Sequence, residues 1–468
     1  MKIDRAIDFL LSLSRSPLLL LLVNRLAVNK SRIDRQRLIA SVIKYLLVDY
    51  GREGMLGDLT VFEAKNLQLM HDGLLLHRLK GRAQGVSGKR HEQLKSSIEN
   101  IQQRTDFLKK LEGPDTLRFL ANLYLEDIAP DFNPAFLILF RAVGKRLFNH
   151  FVDSIRAVET LPGTINEVRR LVGNEPVFFI ANHISNADHL PILFALNRAG
   201  VISPVVIAGS NLYRGISRKI LPKLNVCQLK RDDMIEKKIK WLGNPLYIET
   251  FKQHNQYMWL HNEPYLFYPE GGRSRSGKIL KPKVGIIKNI FEFVEKRDRS
   301  VYFVPISLSY TCVPEDLAIE ESRKGVNISY GDLIQQLVKL NREYGSLQET
   351  TTFVNLGQPL KISPGELPEL EDFSDQLMHR VRAGICTTPT YEVAPMIINL
   401  CATGKERYRF TLADLKNAAP DYDFKRLNLG LEVFAAKKFI KPGTEPDTFE
   451  IVNHDLLKQY ANRTECDF

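Results

Sequence analysis

The sequence predicts an α/β fold: a mostly parallel-stranded sheet flanked by helices, with an N-terminal helical region and a small C-terminal region. Three observations predict it. Short apolar runs alternate with helical patterns between residues 116 and 310, as in parallel sheets covered by helices. Polar motifs directly follow two of these runs. Residues 1–115 instead repeat apolar residues at three- and four-residue spacing, which is typical of amphipathic helices.

The predicted strands are short and lie between helical segments. The apolar runs are 177–181, 205–208, 226–229, 265–268 and 301–309, with a later run at 353–356. Helical patterns occupy 235–242, 246–257 and 334–344. Because strands and helices alternate along the chain, we expect crossover connections and therefore parallel pairing.

Three regions are predicted along the chain. Residues 1–115 form the helical region, and Gly113-Pro114 marks its end. Residues 116–395 form the α/β domain, and residues 396–468 form a small appended region. Within the first region, residues 80–89 (KGRAQGVSGK) are polar, basic and contain glycine, which predicts an exposed loop.

Composition and charge narrow the class of protein. Of 468 residues, 44% are hydrophobic, which excludes a mostly disordered chain. No run of eighteen apolar residues occurs, so we expect no spanning helix. The longest apolar run near the N-terminus, 18–23, is short and no small-residue cleavage site follows it, so we expect no signal peptide. Five scattered cysteines without a CxxC pair disfavour a disulfide framework or zinc ribbon and favour a reducing compartment. The formal net charge of +11 indicates an anionic partner: nucleic acid, an anionic membrane or a phosphorylated substrate.

The first candidate site is the run NHISNAD at residues 182–188, directly after the run VFFIA. Ligands of α/β proteins bind at the carboxyl ends of strands. There, His183 and Asp188 can fold back onto each other, and a carboxylate on one imidazole nitrogen leaves the other nitrogen as a base. The alternative interpretation is an ordinary helix N-terminus, capped by Asn182 or Ser185, in which the histidine is incidental.

A second candidate site is FYPEGGRSRSGK at residues 267–278. Residues 271–288 contain six basic and no acidic residues. Glycines let a backbone approach a ligand, and arginines bind phosphate through two parallel hydrogen bonds. The alternatives are a solvated basic loop and a P-loop. Against the P-loop, Ile279 replaces the metal-binding hydroxyl residue and Pro282 interrupts the expected helix.

Two further features accompany these motifs. Residues 210–231 are also basic and free of acidic residues, and they end in Lys230-Arg231 directly after a predicted strand. This stretch is as compatible with a basic helix face as with a binding site. Pro305 interrupts the run 301–309 (VYFVPISLS), which predicts a bulge or an edge strand.

In this order, the four features resemble the four blocks of the glycerolipid acyltransferase superfamily. The sequence PEGGRSRSGK…PKVG is most similar to that of the membrane-type glycerol-3-phosphate and dihydroxyacetone-phosphate acyltransferases. The run CTTPT at residues 386–390 also resembles a segment of that subgroup. The likeness covers roughly residues 130–400, and Asn186, Ala187 and His189 depart from the usual first block.

The resemblance implies a role for each motif residue. It implies that His183 is the general base on the acceptor hydroxyl, that Asp188 holds the imidazole, and that no covalent intermediate forms. The implied phosphate-binding residues are Arg231, Glu270, Gly271, Arg273, Ser274 and Arg275, and the implied pocket-lining residues are Ser185 and Pro305. We expect no metal and no cofactor.

The implied reaction moves a fatty acyl group from acyl-CoA or acyl-carrier protein to glycerol 3-phosphate, the first step of phospholipid synthesis. Dihydroxyacetone phosphate and lysophosphatidate are the alternative acceptors. A product with an acyl chain must enter lipid, so we expect peripheral binding to the cytoplasmic face of an anionic membrane. The basic amphipathic pattern of residues 134–155 and the apolar residues 17–23 are the candidate contacts, although burial of 134–155 in the core fits equally. We expect no nucleic-acid partner. A hypothesis of another class is a non-catalytic basic module that binds membranes.

Overall fold

The computed structural model divides into two compact units. It describes residues 12–14, 33–50, 56–201, 203–213, 217–230, 241–314, 316, 320, 333–347, 350–403 and 408–468. The first unit, here called the sheet unit, comprises Met1–Lys30, Pro134–Val206 and Asn262–Phe468. The second, the helical unit, comprises Ser31–Asn133 and Ile207–His261. The predicted regions 1–115, 116–395 and 396–468 have other boundaries and stay a prediction.

A mixed, mostly parallel sheet forms the centre of the sheet unit. Its strands follow the order β1-β7-β6-β2-β5-β3, and β8 also pairs with β6. Their bounds are β1 Ile155–Glu159, β2 Val177–Ala181, β3 Val205–Gly209, β5 Tyr265–Phe267, β6 Val301–Tyr310, β7 Thr352–Leu356 and β8 Leu360–Ile362. Among the described pairings of these strands, only those of β6 with β7 and with β8 are antiparallel. The predicted fold class is therefore confirmed.

Helices cover this sheet, and every residue of β2 is buried as a result. The described helices of this part of the unit are α5 Pro134–Leu147, α6 Asn149–Ser154, α7 Thr164–Leu171, α8 His189–Arg198, α11 Gly285–Arg297, α12 Leu333–Ser346 and α13 Leu370–Ala383. Helix α8 packs on β1 and β7, whereas α13 packs on β6 and β2.

The end of the sheet unit combines four helices with a small antiparallel sheet. The helices are α14 Pro389–Thr403, α15 Leu412–Ala418, α16 Phe424–Ala436 and α17 His454–Ala461. The strands β9 Arg409–Thr411, β10 Ile440–Pro442 and β11 Thr448–Ile451 pair in the order β10-β11-β9. Phe434, Phe439 and Tyr460 pack together as a buried aromatic cluster, with ring centroids 5.5–5.8 Å apart. Phe434 and Phe439 stack, whereas Tyr460 meets both rings edge-on, and such contacts add to the stabilisation from buried apolar surface.

The helical unit is mainly α-helical. Its helices are α1 Arg35–Asp49, α2 Asp58–Ala83, α3 Lys89–Lys110, α4 Gly113–Ile128, α9 Ser217–Ile220 and α10 Pro245–Leu260, and its strand is β4 Val226–Leu229. Side-chain caps begin two of the helices: Asp34 accepts from the Arg37 N–H, and Asn244 accepts from the Tyr247 N–H. The predicted helix at 235–242 lies largely outside the described residues.

Two expectations about local structure are corrected. The predicted loop at 80–89 is shorter, because α2 continues to Ala83 and α3 begins at Lys89. Lysine, arginine and alanine favour helix, so a polar composition did not end the helix there. Pro305 does not mark an edge strand, because β6 lies between β2 and β7. Pro305 lies between the residues of β6 that pair with β8 and those that pair with β7. No backbone N–H is therefore required from residue 305 toward these antiparallel strands, and a proline is tolerated there.

A close backbone contact joins residues 271–278 to the last helix of the sheet unit. Gly277 has a φ of +92°, and a Cβ there would lie 2.0 Å from the backbone oxygen of Gln459. A Cβ on Gly272 would meet no atom within 4 Å. Only glycine therefore fits at position 277.

We expect Gly277→Ala to lower the free energy of unfolding by at least about 2 kcal/mol, because it combines overpacking against rigid backbone with a left-handed conformation. Urea denaturation of the purified variants measures this. The matched control Gly272→Ala should stay within about 1 kcal/mol of the parent, and equal losses in both variants would contradict the contact.

Candidate active site

His183 and Asp188 form a hydrogen-bonded pair where β2 ends and α8 begins. The distance from His183 Nδ1 to Asp188 Oδ2 is 2.9 Å. The imidazole is 20% exposed, whereas the carboxylate is fully buried. A carboxylate can only accept hydrogen bonds, so the proton of the neutral imidazole lies on Nδ1. The lone pair on Nε2 is therefore left to act as a base.

Four donors surround the buried carboxylate of Asp188. Its Oδ2 atom also accepts from the backbone N–H groups of Ile184 and Ser185, at 2.6 and 2.9 Å. Its Oδ1 atom accepts from the Tyr310 hydroxyl at 2.8 Å. A buried charge is tolerated only when its oxygens are paired in this way. The chain between the two motif residues thus bends so that its own backbone helps to hold Asp188.

Tyr310, at the end of β6, is a site residue that the sequence analysis missed. Its backbone N–H donates to the Tyr391 hydroxyl at 3.1 Å, and its carbonyl accepts from the Thr388 hydroxyl at 3.4 Å. The CTTPT run therefore packs against the residue that holds Asp188. No local pattern in the sequence indicates this contact, because Tyr310 and Asp188 are 122 residues apart.

Asn182, directly after β2, is hydrogen-bonded to β6. Its side-chain amide donates to the Leu308 carbonyl at 3.1 Å and accepts from the Leu308 N–H at 2.8 Å. The ends of β2 and β6 are thus fixed to each other next to the His183–Asp188 pair.

Tyr268 stacks on the imidazole from the end of β5. The two ring centroids are 4.3 Å apart and the ring planes differ by 21°. Burial raises the pKa of Tyr268 well above its usual value, so the phenol stays neutral. This contact restrains the plane of the catalytic candidate ring.

Glu270 and Ser274 hold the backbone of His183 from the glycine-rich loop. The His183 N–H donates to Glu270 Oε1 at 2.6 Å, and the Leu280 N–H donates to Glu270 Oε2 at 2.9 Å. The Ser274 N–H donates to the His183 carbonyl at 2.9 Å. Both carboxylate oxygens of Glu270 are therefore occupied by backbone donors. This residue links the two motifs, and its predicted part in phosphate binding stays a prediction.

The remaining sequence-predicted residues have the following positions. Arg273 is half-buried and Arg275 is exposed, and both flank Ser274, whose N–H reaches His183. Gly271 has a φ of +66°, and a Cβ there would lie 2.7 Å from the side chain of Lys283. Arg231 lies outside the described residues.

The last sequence-predicted site residues are Ser185, Ser274 and Pro305. The Ser185 hydroxyl accepts from the Ala187 N–H at 3.0 Å, and the Ser274 hydroxyl donates to the Lys278 carbonyl at 2.5 Å. Each hydroxyl is thus hydrogen-bonded to a backbone group of its own loop. Pro305 pairs with Ile180 of β2, in the strand beside the site.

The loop lacks the features of a P-loop. The ammonium group of Lys278 lies 3.1 Å from the carboxylate of Glu465, and the next helix, α11, begins only at Gly285. A P-loop lysine instead reaches the phosphates from a loop that leads directly into a helix. Within the described parts of the chain, no group of three or more His, Cys, Asp or Glu side chains could hold a metal ion.

Comparison with known proteins finds similarity to acyltransferases over part of the chain. The sequence model of the family described as Acyltransferase matches residues 158–309. Glycerol-3-phosphate acyltransferase of Alteromonas mediterranea is 23% identical over 371 residues, which is 74% of this chain and 42% of the relative. The protein of the same name from Pseudomonas fluorescens (strain Pf0-1) is 24% identical over 255 residues, or 54% of this chain and 28% of the relative. The chain thus spans less than half the length of these relatives.

A solved structure, 1-acyl-sn-glycerophosphate (LPA) acyltransferase, PlsC, from Thermotoga maritima, is more distant. It is 14% identical, and the likeness covers 75% of this chain and 96% of that chain with a TM-score of 0.30. A likeness this low adds nothing to the fold described above.

The histidine–aspartate pair and the basic glycine-rich loop lie within the stretch that matches this family. Residues 158–309 are similar to acyltransferase domains. The matched family and the named relatives agree with the resemblance to the glycerolipid acyltransferases that the four sequence blocks carry.

Protonation of Glu270 should be visible in the stability of the protein. Burial raises its pKa to about 8, against the opposing effect of its two backbone donors. A carboxyl whose pKa is raised in the folded state stabilises the fold fully below its unfolded value of 4.5, and this contribution is lost as the pH rises to about 8. We expect Glu270→Gln to remove this component.

Urea denaturation of the parent and of Glu270→Gln at several pH values from 5 to 9 measures the effect. The stability of the parent should fall relative to that of the variant as pH rises, whereas the exposed control Glu366→Gln should track the parent. Parallel curves for the parent and Glu270→Gln across this range would show that Glu270 does not titrate there.

Proposed function

We propose that the protein is an O-acyltransferase that moves a fatty acyl group from a thioester to the hydroxyl of glycerol 3-phosphate. The observation that carries this proposal is the His183–Asp188 pair with a free Nε2, held directly against the loop that contains Arg273 and Arg275. The names of the curated relatives support the same reaction and acceptor. Dihydroxyacetone phosphate and lysophosphatidate are the alternative acceptors.

The geometry suits a direct transfer without a covalent intermediate. His183 Nε2 takes the proton of the acceptor hydroxyl while that oxygen attacks the thioester carbonyl. The tetrahedral intermediate then collapses, its carbon–sulfur bond breaks, and the imidazolium returns the proton to the leaving thiolate. Asp188 stabilises the imidazolium and is itself held by Tyr310 and two backbone donors. The Ser185 hydroxyl is engaged locally and is not needed as a nucleophile.

The phosphate of the acceptor would be bound by Arg273 and Arg275, together with Arg231. Guanidinium groups suit this role because they grip phosphate oxygens in pairs. With the phosphate fixed, the hydroxyl is oriented toward the base, and orientation supplies much of the rate. We propose acyl-CoA or acyl-carrier protein as the donor, and no cofactor or metal in the reaction.

We further propose that the protein binds peripherally to an anionic membrane through helix α5. In the described parts of the chain, no helix is both long and apolar enough to cross a membrane. The apolar face expected to enter lipid is instead largely internal, because Phe136 and Phe151 are buried. The exposed residues Ile138, Lys145, Arg146 and Leu147 remain as the contact surface. The second expected contact, at 17–23, lies outside the described residues.

His183→Ala tests the proposed reaction. Loss of the general base should lower acyl transfer by about 10²–10⁴-fold while the fold persists. The assay incubates the purified protein with a labelled acyl-CoA and glycerol 3-phosphate, dihydroxyacetone phosphate or lysophosphatidate, and then identifies the lipid formed. His261→Ala, at an exposed histidine of the helical unit, is the control. A parent protein that forms none of the three lipids, or an unchanged rate in His183→Ala, would refute the mechanism and favour a non-catalytic module.

Tyr310→Phe isolates the contact that the sequence analysis missed. Without its hydroxyl, Asp188 loses one of four donors, and we expect kcat to fall about tenfold with little change in the KM of the acceptor. Steady-state kinetics measure both values. Tyr302→Phe, on the same strand, should behave as the parent. A change confined to KM would mean that Tyr310 acts on substrate binding instead.

Charge removal on α5 tests the membrane proposal. Each basic residue near an anionic surface contributes about 1 kcal/mol, so Lys145→Gln with Arg146→Gln should lower vesicle binding about 30-fold. Cosedimentation with phosphatidylserine vesicles at low salt measures this, with Lys361→Gln and Lys458→Gln as the matched double control. The proposed membrane contact through α5 is refuted if the parent does not sediment with these vesicles, or if both double variants bind the vesicles as strongly as the parent does.

A further inference from the structure

Arg463 is a buried guanidinium for which the structure provides no acceptor. Only 2% of the residue is exposed, and its Nε, Nη1 and Nη2 atoms have no hydrogen-bond partner among the described residues. An arginine side chain stays charged and carries five N–H donors. Leaving such a charge unpaired inside a protein is costly. In contrast, the buried Lys437 nearby in sequence pairs with Asp316 and the Val313 carbonyl.

The chain on both sides of Arg463 is attached to the glycine-rich loop. The side chain of Asn462 donates to the Ser276 carbonyl at 3.0 Å. The Ile279 N–H donates to the Glu465 carbonyl at 2.8 Å, and the Asp467 N–H donates to the Ile279 carbonyl at 2.9 Å. Arg463 is therefore fixed beside the loop that contains Arg273 and Arg275.

The charge of Arg463 acts on two residues that support the His183–Asp188 pair. Its charge opposes the rise in the pKa of Glu270 that burial causes, and it acts on Tyr391 in the same way. Glu270 holds the His183 backbone, and Tyr391 holds Tyr310. Each oxygen of Glu270 accepts from a backbone donor, and among the described residues Glu270 forms no ion pair with Arg463. The positive charge thus lies near the centre without being neutralised there.

We propose that Arg463 binds a phosphate group of a substrate, as an additional member of the anion site formed with the glycine-rich loop. The proposal deepens the proposed function and rests on it for the identity of the substrate. Two substrates carry suitable phosphates: the acceptor, and the carrier of the acyl donor. A buried guanidinium is suited to a phosphate because the bound anion satisfies its parallel donors and its charge together.

Ligand-dependent stability tests the site without relying on catalysis. Arg463→Met removes a buried charge at similar volume, so in phosphate-free buffer the thermal midpoint should be equal to or above that of the parent. Inorganic phosphate and glycerol 3-phosphate should each raise the midpoint of the parent but not that of Arg463→Met. Arg382→Met is the matched control, because Arg382 is exposed and its Nε donates to the neighbouring Thr464 carbonyl.

The opposite pattern would overturn the proposal. A midpoint that falls in Arg463→Met, together with unchanged stabilisation by phosphate, would assign Arg463 a structural role. If Arg463→Met does not fold, Arg463→Lys decides the matter, because it keeps the charge and loses the paired donors. Arg463→Lys should then fold, and it should need a phosphate concentration about 10–100-fold higher than the parent for the same rise in thermal midpoint. An unchanged response in Arg463→Lys would also overturn the proposal.

Kinetics identify the substrate and separate the two proposals. We expect a KM raised about 10–100-fold for either glycerol 3-phosphate or acyl-CoA in Arg463→Lys, and the affected substrate is the one whose phosphate is bound. Arg273→Ala serves as the comparison for the proposed acceptor clamp. If the parent transfers acyl groups and both KM values are unchanged in Arg463→Lys, the Arg463 proposal fails while the function stands. If the parent is inactive but its response to phosphate depends on Arg463, the function fails while the anion site stands.

Discussion

The site depends on one buried carboxylate. Asp188 accepts four hydrogen bonds, from His183, from two backbone N–H groups and from Tyr310. No water-exposed position would need so many donors, and no buried carboxylate would be tolerated without them. The need to satisfy this charge fixes the tautomer and direction of the imidazole, the bend of the chain after β2 and the position of the end of β6.

Strand order explains why these groups meet. The strands β5, β2 and β6 are adjacent and parallel, so their carboxyl ends lie at one edge of the sheet. From β2 comes His183, from β5 come Tyr268 and Glu270, and from β6 comes Tyr310. The stacking ring, the backbone clamp and the carboxylate donor therefore approach the imidazole from its two neighbouring strands. A rigid sheet positions such groups more firmly than flexible loops would.

Sequence and structure agree best where the signal is local. The strands at 177–181 and 226–229 are predicted to the residue, because a short apolar run bounded by polar residues has few alternatives. The pairing of His183 with Asp188 is likewise local. Tyr310 and Arg463 could not be predicted, because the first contact spans 122 residues and the second residue lies far beyond the matched domain. Periodicity also identified the apolar face of α5 without revealing whether protein or lipid covers Phe136, which proves to be buried in the protein.

The central claim is that Asp188 holds the proton of neutral His183 on Nδ1 and leaves Nε2 free. Nitrogen NMR of the protein labelled with ¹⁵N-histidine, recorded on the neutral ring, observes this directly, and His183→Gln assigns the signal. We expect a protonated Nδ1 and an unprotonated Nε2 in the parent, and a loss of this preference in Asp188→Asn. A parent signal from the opposite tautomer, with the proton on Nε2, would contradict the account.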